Sequence, residues 1–183
     1  QAGVVHVADH HIVPGKKFWE FATGGEGRMW DKILTETDGP YIELMSGAYS
    51  DNQPDYSWIQ PYEVKTWKQY WYPIRQLGGI KNANQDAAVN LELGKDGTLR
   101  VAINTTREFA GAKVMVKGDE HPLLEDVIDL GPDKPYAKDI SVSRALAQDD
   151  VRIAVLDAQE REIISYTPRK PKGEPLPEPV KPP

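Results

Sequence analysis

The chain contains no cysteine. Disulfide scaffolds, thiolate zinc sites and thiol catalysis are therefore excluded. It also lacks any concentrated basic run: Lys16–Lys17 and the pair Lys65 and Lys68 stand apart in a chain of net charge −6. A nucleic-acid partner calls for a positive stripe that these residues do not supply. No apolar run approaches the roughly 20 residues that a membrane-spanning helix requires. Neither an initiator methionine nor a signal-peptide pattern opens the sequence, and Gly3–Ala8 already reads as a strand. That start predicts a piece of a longer protein. Compartment is left open, because a cysteine-free chain suits both reducing and oxidising surroundings.

Aromatic residues are scarce over the second half. All five Trp lie before residue 81, and beyond it only Phe109, Tyr136 and Tyr166 are aromatic. One core thus rests on aromatic side chains and another on aliphatic ones. We expect a domain over 1–80, a second over 85–167, and a tail over 168–183.

What the first half does contain is concentrated in Pro40–Ile74. This stretch reads as a strand at Tyr41–Met45, a polar loop at Ser46–Tyr56, a turn at Gln60–Pro61 and a long strand over Glu63–Ile74. Glu43 is the one acid among apolar neighbours in the first of these strands. Tyr41, Tyr49, Tyr56, Trp58, Tyr62, Trp67, Tyr70, Trp71 and Tyr72 surround it in sequence. Flat rings cover the apolar faces of sugars while polar groups take the hydroxyls, so an acid among aromatics points to carbohydrate. The plainer reading stands beside it: aromatic residues favour strands, and a strand Glu commonly faces water.

Upstream, Val4, Val5 and Val7 mark a first strand, Pro14–Gly15 a turn, and Lys16–Phe21 a second strand. His6, His10 and His11 fall here. His6 and His10 would share a face only on a helix, and their Val-rich surroundings read as strand, so a metal site is not expected and no cofactor is called for. Gly24-Gly25-x-Gly27 lacks the strand, helix and spacing of a phosphate loop. Arg28 and Asp31 either pair with each other or face a cleft beside Trp30. Met29–Leu34 predicts a short helical turn, stopped at Thr37-Asp38-Gly39-Pro40.

Gly78-Gly79 permits a bend, and the expected boundary lies at 78–88. Beyond it Val89, Leu91 and Leu93 alternate with Asn90 and Glu92, and Leu99, Val101 and Ile103 alternate with Arg100 and Ala102. Gly94-Lys95-Asp96-Gly97 between them predicts a hairpin loop. Strands are predicted at Ala112–Lys117, Leu123–Leu130, Tyr136–Val142, Val151–Leu156 and Glu162–Tyr166, with a helical turn at Arg144–Leu146. Seven short strands at this spacing predict an immunoglobulin-like β-sandwich without the Cys-Trp-Cys signature. The tail is Pro-rich and reads as an extended linker to a further domain.

The central stretch resembles the C-terminal part of the galactose-mutarotase-like fold. Ile42-Glu43-Leu44 stands where that family carries its catalytic glutamate, Asn52-Gln53-Pro54 where it has an Asn-Gln-Pro loop, and Ile59–Glu63 where it has its turn. Lys65–Ile74 stands for its last strand. Leu44-Met45 departs from the family's Thr-Gln, and Tyr62 from its turn Gly. VADHHIVPGKKFW, GRMWD, DGPYIELMSGAYSDNQPDYSWIQPYE and YWYPI are more similar still to a family of uncharacterised bacterial domains that precede tetratricopeptide repeats and are themselves mutarotase-like. The resemblance implies an all-β chain: the closing portion of a mutarotase-like sandwich followed by the immunoglobulin-like one. It further implies a carbohydrate-binding or carbohydrate-processing region of a larger repeat protein. Glu43 would be its general acid or base. Arg28, Asp51, Asn52 and Gln53 would contact hydroxyls, and Trp30 and Trp58 would serve as stacking platforms. The fragment itself is expected to be inactive, because the family's catalytic histidines lie upstream. The competing expectation is a non-enzymatic scaffold. An incomplete sheet predicts a homo-oligomer through residues 1–74.

Overall fold

The computed structural model describes residues 2–21, 24–51, 55–143 and 145–169. The chain is mostly strand and antiparallel. In order it forms β1 (Ala2–Ala8), β2 (Gly15–Glu20), α1 (Gly25–Leu34), β3 (Ile42–Gly47), β4 (Gln69–Arg75), β5 (Asn82–Ala83) and β6 (Ala87–Leu93). There follow β7 (Thr98–Thr105), β8 (Phe109–Gly118), β9 (His121–Leu130), β10 (Tyr136–Ser141), a 3₁₀ turn (Gln148–Asp150), β11 (Val151–Leu156) and β12 (Glu162–Tyr166). No helix among the described residues is long and apolar enough to cross a membrane. The expected linker lies outside the described residues from 170 onward. Two compact units result: His6–Tyr70, and Trp71 onward together with the first five residues.

The larger unit is a sandwich of two four-stranded sheets, ordered β10-β7-β6-β5 and β12-β11-β8-β9. The chain makes a hairpin in one sheet (β6–β7), crosses for a hairpin in the other (β8–β9), and returns so that β10 lies beside β7. It then crosses again to set β11 beside β8. This is the Greek-key connectivity of an immunoglobulin-like sandwich. The hairpin loop closes where Gly97 supplies the positive φ of 84° that a side chain would resist. There Gly94 N–H donates to Thr98 O at 2.8 Å, and the Asp96 carboxylate accepts from the Thr98 backbone and hydroxyl.

The inward positions are aliphatic, as their period-2 spacing requires. Leu91, Leu99, Ile103, Val114, Val155 and Ile164 are fully enclosed. Each such side chain stabilises the fold by about 1.5–3 kcal/mol relative to exposure. Alternation alone would leave Ala88, Asn90, Ala102 and Asn104 on a solvated outer face. In the structure they too are buried, because residues 72–81 tie onto that face. Tyr72 Oη donates to one of Asn84 O and Ala87 O, at 2.8 and 2.9 Å, and burial, with Asp86 adding to it, pushes its pKa up to about 12. Arg75 N–H donates to Asn104 Oδ1 at 2.8 Å, Asn90 Nδ2 to Leu77 O at 2.9 Å, and Arg100 Nη2 to Gln76 O at 3.1 Å. Small residues and amides occupy the outer row because a polypeptide backbone, which needs partners, lies against it.

The smaller unit holds α1 and the antiparallel β2–β3 ladder. Here the structure differs from the sequence reading in two places. The helix runs ten residues, Gly25–Leu34, rather than one turn, with Gly27 its one buried residue. The strand expected over Glu63–Ile74 begins only at Gln69. Residues 60–68 are held by local bonds instead of a ladder: Glu63 N–H to Gln60 O at 3.0 Å, Lys65 Nζ to Trp58 O at 2.7 Å, and Tyr49 Oη to Thr66 O at 2.7 Å.

Candidate functional site

Within the smaller unit the β2–β3 register sets which side chains share a face. Trp19 stands opposite Glu43, Lys17 opposite Met45, Phe18 opposite Leu44 and Lys16 opposite Ser46. Directly paired residues lie on the same side of a ladder, so Glu43, Trp19, Lys17 and Met45 form one face. Glu43 is half-buried, and the Trp19 indole N–H donates to Met45 Sδ at 2.8 Å, fixing the ring beside it. The other face carries Phe18, Ile42 and Leu44, which remain 59, 54 and 48 % exposed.

At the far end of that second face, Gln69 Oε1 accepts from Ser46 Oγ at 2.8 Å and lies 3.1 Å from His6 Nε2. Because the amide oxygen is an acceptor, the neutral imidazole carries its proton on Nε2. Burial lowers the His6 pKa, the Gln69 bond opposes this, and nearby Lys16 lowers it further. Among the described residues no three His, Asp or Glu come together as a metal cluster.

The other residues singled out by sequence sit as follows. Arg28 is exposed on α1 and lines a shallow recess with Asp31, Lys32, Thr35 and Pro40. Asp31 Oδ1 accepts the Tyr41 N–H at 2.9 Å, so this carboxylate positions the entry to β3. Trp30 packs on Phe21, with centroids 6.1 Å apart, and Phe21 on Tyr41 at 5.7 Å. Asp51 is exposed, and Trp58 is 79 % exposed. Asn52 and Gln53 lie outside the described residues. Among the described residues, no hydrogen bond, ion pair or ring contact joins any two of Glu43, Arg28, Trp30, Asp51 and Trp58.

A second constellation was not singled out from sequence. Tyr49 has φ 68°, a conformation in which a side chain is strained, and four contacts hold it there. Its N–H donates to Ile12 O at 2.7 Å. Its hydroxyl donates to Thr66 O. Its ring meets Trp67 perpendicularly at 5.8 Å, and Lys65 Nζ lies 4.9 Å from its centroid. Beside this brace is a cavity of about 350 Å³ lined by Asp9, Ile12, Thr66, Trp67 and Lys68. Its elements are 50 residues or more apart in sequence, so no local motif announces it.

The class these observations define is an all-β chain whose larger unit is an immunoglobulin-like sandwich. Residues 1–74 match the model of a family described as a domain of unknown function (DUF5107). Residues 82–166 match that of the YphG-like protein, second domain. No solved structure matches the chain.

Proposed function

We propose that the chain is a carbohydrate-binding or carbohydrate-processing region of a larger tetratricopeptide-repeat protein, its first part mutarotase-like, with Glu43 as general acid or base. The observation that carries the reading is the direct cross-strand pairing of Glu43 with Trp19. It sets a half-buried carboxylate beside an indole whose orientation is fixed by Met45. Such a pair offers a hydroxyl acceptor and an apolar ring at one place. In the intact parent protein, E43Q keeps shape while removing the titratable proton. It is expected to lower turnover of an aldose or glycoside by about 10²–10⁴-fold, the share typical of general acid–base catalysis. Turnover unchanged in a folded E43Q parent rejects the assignment.

A second reading is favoured by a different observation. Phe18, Ile42 and Leu44 present an exposed apolar face, which suits a non-enzymatic interaction module or a homo-oligomer through residues 1–74. Sedimentation that stays monomeric with rising concentration counts against the oligomer.

A further inference from the structure

We propose that the recess beside Trp67 is a binding site for one neutral pyranose ring. The proposal shares with the preceding section the view that this unit binds carbohydrate, and uses nothing of the role given to Glu43. Trp67 remains 49 % exposed although Tyr49 packs against it at right angles. A perpendicular contact covers at most one side of an indole, which leaves ring surface for a ligand. Tyr49 is in turn fixed to the two backbone segments that carry the lining: to Ile12 by its N–H and to Thr66 by its hydroxyl. The walls of the recess are thereby held in register before any ligand arrives, which lowers the cost of binding.

The charged groups are one acceptor and one donor. The Asp9 carboxylate gives one oxygen, Oδ1, to the His11 N–H at 2.9 Å; its second oxygen can take a hydroxyl proton. Lys68 makes no ion pair or hydrogen bond among the described residues and can donate to a hydroxyl oxygen. Vicinal hydroxyls of a pyranose present both needs at once, over a C–H face that suits Trp67. A purely apolar occupant would desolvate Asp9 and Lys68 without replacing their water. Because one acid and one base line the recess, no net charge selects an anionic or cationic sugar. At about 350 Å³ the cavity sits near the lower end of the ~300–1,000 Å³ span of ligand pockets, so it takes a single ring rather than a run of a polymer.

The test is a titration of the chain with methyl α-glucopyranoside, methyl β-galactopyranoside and methyl α-mannopyranoside, followed by the indole N–H resonances. W67F and W19F assign the two relevant signals. We expect at least one glycoside to move the Trp67 signal saturably, and to do so in E43Q as well; in W67A, which lacks that signal, the affinity is read by saturation transfer to the glycoside protons and should fall about tenfold, the size of one ring contact. If W67A does not fold, K68A serves, with a weakened titration expected. Movement of the Trp19 signal alone overturns the recess and leaves the Glu43 reading standing. Movement of Trp67 alone supports the recess and counts against sugar at Glu43. No movement of either signal by any glycoside overturns both.

Discussion

Tyr49 and Trp67 meet edge to face, with ring centroids 5.8 Å apart and planes at 85°. The geometry is that in which the positive edge of one ring faces the negative face of the other. Y49F keeps the ring and deletes only the bond to Thr66 O. It should cost about 1 kcal/mol, the net worth of one hydrogen bond. Y49A removes the ring as well and should change the chemical shift of the Trp67 indole. Y49G relieves the positive φ but supplies no brace, so it should resemble Y49A at Trp67. An unaltered Trp67 signal in Y49A would show that the brace is not holding the indole.

Gly78 and Gly79 are adjacent yet should respond differently to alanine. Both face the Asn90 amide at ordinary van der Waals separation, so space does not distinguish them. Gly78 has φ 79° and Gly79 does not have positive φ. G78A should therefore cost about 1–3 kcal/mol in strain. G79A should fall near neutrality and can even gain slightly by restricting the unfolded chain. Thermal unfolding of the two variants decides it; equal losses would mean that contact with Asn90, rather than backbone conformation, sets the cost.

The contrast between these glycines marks where sequence reading succeeds. Leu91, Val101 and Val155 announce their strands because period-2 alternation and β-branching are local properties. The sandwich follows from them, with the hairpin at Gly94–Gly97. Burial of Asn90 and Ala102 is not local: it comes from residues 72–81 lying against the outer face, and nothing at position 90 encodes that. The same holds at the candidate site. Glu43 is conspicuous because it is an acid in an apolar run, whereas the Asp9, Tyr49 and Trp67 grouping arises from chain segments that meet only in the folded state. The strand expected from Glu63 failed for a related reason: its aromatic-rich pattern suits a ladder, but the Tyr49 hydroxyl takes the Thr66 carbonyl and Gln60 O takes the Glu63 N–H.

Asp157 gives a pH dependence with a defined sign. Its Oδ1 accepts the Arg161 and Gln159 N–H groups at 3.0 and 2.9 Å, and its Oδ2 accepts from the Arg161 guanidinium at 2.8 Å. The Arg161 backbone N–H leads in holding the carboxyl below its ordinary 3.8; burial opposes it, and the guanidinium and the Gln159 N–H add to the lowering. A depressed folded-state pKa means that the unfolded chain binds the proton more readily. The stabilisation is fully present above the ordinary value and fades as pH falls through the folded one. The Tm of the native chain should exceed that of D157N at neutral pH, and the gap should close as the solution is acidified past the ordinary value. A gap independent of pH would assign the effect to shape rather than charge.

The two compact units should differ in how easily they open. Among the described residues of the sandwich, sixteen buried side chains form one cluster. Among the described residues of His6–Tyr70, Val13 is the one fully buried apolar side chain, while Phe18, Met29, Trp30, Ile33 and Leu44 stay substantially exposed. Local stability follows buried apolar contact. Amides of β6, β7, β8 and β11 should therefore exchange only at the free energy of global unfolding, and those of β2 and β3 at a much lower one. L91A should lower the first by about 2–5 kcal/mol, as a cavity in a close-packed core does, and leave the second unmoved. F18S, at an exposed position, should change either by about 0.5 kcal/mol or less. Hydrogen exchange read strand by strand measures all three. Protection of β2 and β3 equal to that of the sandwich strands would mean that the Phe18 face is covered in solution, and F18S would then lower it well beyond that amount.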